Sequence, residues 1–387
     1  MAITIREHRP GGDVDDFLRA AHVVFQDDPA WVAPLQMDMK ERLDPEKNPF
    51  FEHGEAALFT AWKGDELVGR CSAQIDRAHL ERYRDDTGFF GFLDTVNDPA
   101  VSAALLERAE EWLRDRGMKR IRGPLSLNIW EEVGVLVEGF EHPPVMLMGH
   151  SRDWQAGLIE QAGFAKAKDF YAWKYITAEG FPKRAQRAWD DIQALPEVQF
   201  RTMRKSDLDQ EVPIIMDIFN DAWSANWGYV QATQKEVEKT AKDLKLILDE
   251  RMAFVADVDG RPMAMCICLP NVNEAIADLD GKLLPTGLFK LLWRLKVKKP
   301  RSARLMLLGI RSELRGVKRY GGLALALCVE VAKRGHAAGY EWAELSWTLE
   351  DNAPINVGIR AMGARIYKKY RVYEKPIGAR ATQEVSS

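Results

Sequence analysis

Cysteine is scarce: Cys71, Cys266, Cys268 and Cys328 are the four in 387 residues, with no C-x-x-C pair and no His/Cys cluster. This argues against a disulfide framework and a structural zinc site, so no metal is expected and the thiols read as buried and reduced. A basic excess is also missing. The 54 Lys and Arg face 58 Asp and Glu, giving a net charge of -4, and no nucleic-acid partner is expected. No run approaches the roughly 20 apolar residues that span a bilayer. The opening MAITIREHRPGGDVDDF is polar and acidic, unlike a signal peptide. The expectation is a soluble, cytoplasmic protein.

What is present is ordinary globular material, 46% apolar and 29% charged, in a chain long enough for two domains. The first half opens with a strand at 3–6 and a helix near 13–25. A hairpin follows, 56–62 and 67–75, around Lys63-Gly64-Asp65. A strand at 88–96 then leads to a helix with Asp98 as N-cap and Pro99 at its first position. The second half repeats this order: a strand at 198–201, a helix at 212–223, a hairpin across 252–269, a strand at 305–310 and a long helix from Gly322 to about Ala337. Each half is expected to close with strand, helix and a short strand pair. The pattern implies a duplicated α/β unit, residues 1–176 and 197–387, joined by a connector at 177–196 that contains one helix.

The sharpest local signal follows the strand at 305–310. The run Arg315-Gly316-Val317-Lys318-Arg319-Tyr320-Gly321-Gly322-Leu323-Ala324 places R-x-x-G-x-A, on Arg319, Gly322 and Ala324, at the mouth of a helix. Small residues let backbone N–H groups approach an anion, and the helix start adds partial positive charge. The run reads as a pyrophosphate cradle or, more plainly, as a glycine turn with solvated basic residues. It is neither a Walker loop nor a dinucleotide fingerprint.

These residues resemble the GNAT superfamily of acyl-coenzyme A N-acyltransferases, in which R/Q-x-x-G-x-G/A holds the coenzyme pyrophosphate. The resemblance extends over almost all of residues 197–376 and includes Asn352 with Gly363 eleven residues later. It implies two tandem GNAT-like domains, each a mixed twisted sheet flanked by helices. Acyl-CoA is the implied co-substrate, held by Ile310, Arg311, Arg315, Lys318, Arg319, Tyr320, Gly321, Gly322, Leu323, Ala324 and Asn352. The two-domain layout, with Ser346 to Asn352 and Lys369 to Glu374, is similar to a bacterial ceramide synthase-like group that N-acylates a long-chain base.

Two departures stand out. A Tyr seven residues after the Asn often protonates the leaving thiolate in this superfamily, and here that position is Ile359. The first half carries Asn97-Asp98-Pro99 where the cradle should be, so it reads as a copy without coenzyme binding. For the chemistry, Glu344 is the first candidate base, then Glu350, then Glu313, and Tyr370 the candidate acid. Each also reads as an ordinary surface, ion-paired or packed residue. Trp223, Asn226, Trp227 and Tyr229 are candidates for the acceptor wall, or for a loop staple. The histidines offer no rival machinery: His150 and Asp153 are too close for other acyltransferase motifs, and no G-x-S-x-G is present.

Residues 282–301, KLLPTGLFKLLWRLKVKKPR, interleave apolar residues with cations and contain no acid. They suit the headgroup region of an anionic membrane, or an amphipathic helix packed on the protein. The reading is therefore an N-acyltransferase that moves a long acyl chain from acyl-CoA, or an acyl carrier protein, to a primary amine such as a sphingoid base. It would be cytoplasmic or peripheral on the inner membrane face. The rivals are an acetyltransferase of small polar amines and a catalytically inactive acyl-CoA sensor or scaffold.

Overall fold

The computed structural model describes residues 2–378. Its strands are β1 (Ile3–His8), β2 (Gly54–Lys63), β3 (Glu66–Asp76), β4 (Thr87–Thr95), β5 (Arg120–Gly123), β6 (Val135–Glu138) and β7 (Ala165–Ile176) in the first half. The second half contributes β8 (Val198–Thr202), β9 (Ala253–Val258), β10 (Arg261–Pro270), β11 (Ser302–Ile310), β12 (Trp342–Leu349) and β13 (Arg365–Pro376). All join one mixed sheet in the order β1-β2-β3-β4-β5-β13-β7-β12-β11-β10-β9-β8, with β6 also paired to β13.

The central strands of this order are exchanged. β13 pairs with β5, Tyr373 opposite Gly123, while β7 pairs with β12, Leu345 opposite Trp173. Each half's closing strand thus lies in the other half's part of the sheet. Both are single strands of 12 residues rather than the expected short pairs. Both mix aromatic and aliphatic residues with lysines, a composition that suits a strand packed on one or both faces.

Local chemistry explains the elements the sequence announces. Gly64 takes φ +60 at the β2–β3 turn, where a side chain would be strained. Asp98 accepts the amide of Ala100 and opens the helix Pro99–Arg114. The connector holds the helix Lys183–Gln193, which packs on the long helix Leu323–Ala338. On one face of the sheet, Leu305, Leu345, Trp173 and Cys266 pack beneath Leu327, Val331 and Ile359. On the other face, Met265 and Ile267 pack against Ile215, Ile218 and Phe219 of the helix Leu208–Trp223. All four cysteines are buried and free. Among the described residues no helix is long and apolar enough to cross a membrane.

Candidate active site

Parallel strands β11 and β12 pair only from Ser302–Trp342 to Leu305–Leu345. Beyond that point both strands continue, to Ile310 and Leu349, without pairing, and so open a wedge. A bulge of β11 against β10 falls at the same place: Ile267 faces Leu307 and Cys268 faces Leu305, leaving Met306 as the extra residue. A bulge bends its strand and re-aims a side chain, and here it stands where the two strands diverge. Backbone groups of β11 in the wedge are free of a β12 partner and can meet a ligand carbonyl.

The first half has the same parting, since β4 and β5 pair only from Thr87–Arg120 to Phe89–Arg122. There the following chain fills the gap. Leu125 donates its amide to the Phe90 carbonyl at 2.8 Å, and a Cβ on Gly91 would lie 2.1 Å from the Leu125 carbonyl oxygen.

At the second wedge the expected cradle stands at the start of the helix Leu323–Ala338. No side chain caps this end, so its first amides remain open. A Cβ on Gly321 would meet only the Lys318 carbonyl, at 3.4 Å, and one on Gly322 would make ordinary contact with Ala188. Internal packing therefore does not demand these glycines, and the open amides beside them would fit a coenzyme pyrophosphate.

The charges are more restrained than the sequence suggests. Arg319 donates to Glu197 at 2.5 Å, and this bond holds the carboxyl down to about 2. Tyr320 also donates to Glu197. Arg311 pairs with Asp217, and Arg315 donates to the carbonyls of Ile310 and Asp221. Lys318 is exposed and makes no ion pair among the described residues. Ile310 packs on the core that includes the buried Leu323, and Ala324 is partly buried. Asn352 precedes the helix Ala353–Ala361 without a side-chain cap bond, and Ile359 is buried under that helix.

At the base of the wedge lies a buried polar network. Glu344 is fully buried and accepts from the hydroxyls of Ser346 and Tyr367. Arg304, opposite Glu344 on β11, donates to Ser346 Oγ at 3.0 Å and to the Met146 carbonyl at 2.7 Å. Burial pushes the Arg304 pKa down while the Glu344 charge opposes that shift. Burial and the Glu344 charge both push Tyr367 far up. Tyr370 is pushed up in the same way, and its buried hydroxyl has no hydrogen-bond partner. Lys368 is also buried; it donates to the Pro143 carbonyl at 2.9 Å and is brought down to about 8 by desolvation.

Glu344 and Tyr370 thus come together, while the other candidate bases do not join them. Glu350 pairs with Lys166 at 2.7 Å and accepts the Asp169 amide, and exposed Glu313 pairs with Arg261. The aromatic loop is divided. Trp223 overhangs Gly309 of β11, whose Cβ would come within 2.9 Å of it, and so stands at the wedge. Trp227 lies instead against Arg122 and Phe170. Asn226 closes the turn between Trp223 and Tyr229, and buried Tyr229 staples the loop by donating to Asn220 at 2.6 Å. Apolar Trp130 and Met146, from the first half, pack with Met306 and Trp223 on the same cluster, and Trp347 borders Phe170. Among the described residues no group of three or more His, Cys, Asp or Glu is placed to hold a metal ion.

The fold is that of tandem GNAT proteins. A tandem GNAT protein from the clavulanic acid biosynthesis pathway superposes with a TM-score of 0.58 at 14% identity, covering 98% of this chain and 99% of its own. A GCN5-related N-acetyltransferase from Sphaerobacter thermophilus gives 0.53 at 14% identity, covering 97% and 96%. No family model matches the chain. Two relatives are much nearer in sequence. A bacterial ceramide synthase of Caulobacter vibrioides is 43% identical, covering 90% of this chain and 91% of its own length. Protein YghO of Escherichia coli is 40% identical, covering 94% and 93%. The chain belongs to the family formed by these two proteins.

Proposed function

We propose that this protein transfers a long acyl chain from coenzyme A to a lipophilic primary amine, with a long-chain sphingoid base as the specific acceptor. The observation that carries this reading is the open wedge with an uncapped helix start at its mouth, present in the second half and filled in the first. The name of the Caulobacter relative supports the choice of acceptor. So does the wall of Trp130, Met146, Trp223 and Met306, which offers an alkyl chain apolar surface and little to a small polar amine.

In this scheme the amine nitrogen attacks the thioester carbon, the N–C bond forms and the C–S bond breaks. The amine's surplus proton moves toward Glu344 through the Tyr367 hydroxyl, which already donates to that carboxylate. Tyr367 passes the proton on without standing as a phenolate, because its surroundings hold its pKa far up. Tyr370, with a buried hydroxyl that nothing else engages, gives its proton to the departing thiolate and regains one from Glu344, which took the amine's, so both groups return to their starting state. Arg304 keeps Ser346 and Glu344 in register and balances the buried charge.

Thiol release by the purified protein tests this, with acetyl-CoA or palmitoyl-CoA against a small amine or a long-chain base. Release with palmitoyl-CoA and the long-chain base is expected. Release confined to acetyl-CoA and the small amine would replace the lipid reading with a small-molecule one. Coenzyme binding without release from any pair would favour a sensor.

A further inference from the structure

We propose that residues 284–299 form a docking surface for an anionic lipid bilayer, which deepens the acyl-transfer reading by naming where its acceptor arrives. Among the described residues, six of the twelve exposed large apolar side chains fall within 284–297: Leu284, Leu288, Phe289, Leu292, Trp293 and Val297. Scattered exposed apolar residues need no explanation, but a concentration of this kind does. Phe289 is 75% exposed, Val297 64% and Trp293 55%. The segment is nevertheless firmly seated. Leu283 and Leu291 turn inward on Val32, Leu35, Ile276 and Leu279, and Arg294 is held by Asp278 and by the Ala275 carbonyl. A helix Gly287–Trp293 and the π-helical turn Arg294–Lys298 therefore present an apolar ridge by construction.

Charge selects the occupant. Exposed Lys296, Lys298 and Lys299 follow the ridge and make no ion pair among the described residues. An apolar ridge with aromatic side chains and unpaired lysines matches the boundary between acyl chains and anionic headgroups. A second copy of the chain would bring the same lysines together and be repelled. The placement also fits the chemistry. Asn271 and Asn273 at the base of this segment hold Met146 and Pro144, and the Met146 carbonyl holds Arg304 of the buried network. A lipid amine lifted from the bilayer would thus arrive beside the wall of the proposed acceptor site.

Cosedimentation of the full chain with vesicles tests the surface. Three proteins are compared: the parent, F289D/W293D, and K296E/K298E/K299E. Vesicles are phosphatidylcholine alone or mixed with phosphatidylglycerol. The parent should pellet with the mixed vesicles, more weakly as salt rises, and poorly with phosphatidylcholine alone. F289D/W293D should lose on the order of tenfold in partitioning, and the lysine variant about fivefold per residue at low salt. All replaced residues are exposed, so matched melting curves will confirm intact folds. Equal pelleting of parent and variants overturns the proposal, as does a parent that ignores vesicles. A ridge-dependent dimer in place of vesicle binding reassigns the surface to self-association. Thiol release with palmitoyl-CoA and a long-chain base carried in detergent, free of vesicles, separates the two readings: its absence alongside intact docking would strike the acyl transfer and leave the surface standing.

Discussion

At the scale of single residues, the informative group is a hydroxyl with nothing to bond. Burying a polar atom without a partner costs about 1–3 kcal/mol, so such atoms are rare unless something uses them. Tyr370 is fully buried and its hydroxyl is unpartnered, close enough to Glu344 and Arg304 to feel both charges. Tyr370→Phe therefore removes no hydrogen bond. It should leave stability unchanged or raise it by about 1 kcal/mol. If Tyr370 protonates the thiolate, kcat should fall about 100-fold with little change in KM for acyl-CoA. Unchanged kcat would take Tyr370 out of the chemistry. Tyr367→Phe is the informative contrast, because it strips a donor from Glu344 and should cost stability as well as rate.

The elements were legible to differing degrees. Hairpins, the Asp98-Pro99 helix start and the cradle helix follow from turn chemistry and periodicity, and the structure has them where those signals lie. The helix Gln234–Ile247 was missed although Thr233 and Glu236 form a capping box that the sequence spells out. Tyr367 was hidden for a physical reason. β13 bulges against β7 between Ile366 and Lys368, so strict two-residue alternation misassigns the side of this tyrosine. Exchange of β7 and β13 left no local trace, since both strands have the same length and a similar mix of aromatic residues and lysines.

The cradle's charge balance was likewise invisible, because Glu197 stands far from Arg319 in sequence. It yields an element-scale prediction. If Arg319 holds a coenzyme phosphate, that phosphate competes with Glu197, which is held down to about 2 by that arginine and is ionised at neutral pH. Glu197→Gln should tighten coenzyme A binding several-fold, and Arg319→Glu should weaken it on the order of tenfold or more. Calorimetry measures both. Unchanged affinity in both variants would remove Arg319 from the pyrophosphate site.

For the whole molecule, strand exchange ties the two halves into one continuous sheet despite their repeated plan. β13 brings Tyr370, Val372 and Tyr373 into the sheet beside β5 and β7, each at most 1% exposed. Burying each is worth roughly 1.5–3 kcal/mol, so three together rival the 5–15 kcal/mol that holds a typical domain. Charged ties run along the same seam: Arg122 to Glu374, Lys375 to Glu110, and Arg371 to Asp169. Farther out, His53 bridges Asp76 and Glu236, and its bonds to these two carboxylates push it up to about 10, so it is charged at neutral pH. Residues 1–196 expressed alone lack β13, while 197–387 alone lack β7, leaving β5 and β12 without their central partners. An isolated first half could lay β7 beside β5, but it would lose the Arg371–Asp169 tie and place other residues where Tyr373 bonds Glu160. The halves should therefore aggregate when made separately and form a soluble 1:1 pair, with a single unfolding transition, when made together. Size-exclusion chromatography and thermal melts read both outcomes. Two soluble halves, each melting cooperatively by itself, would mean that the exchanged strands do not bind the halves into one folding unit.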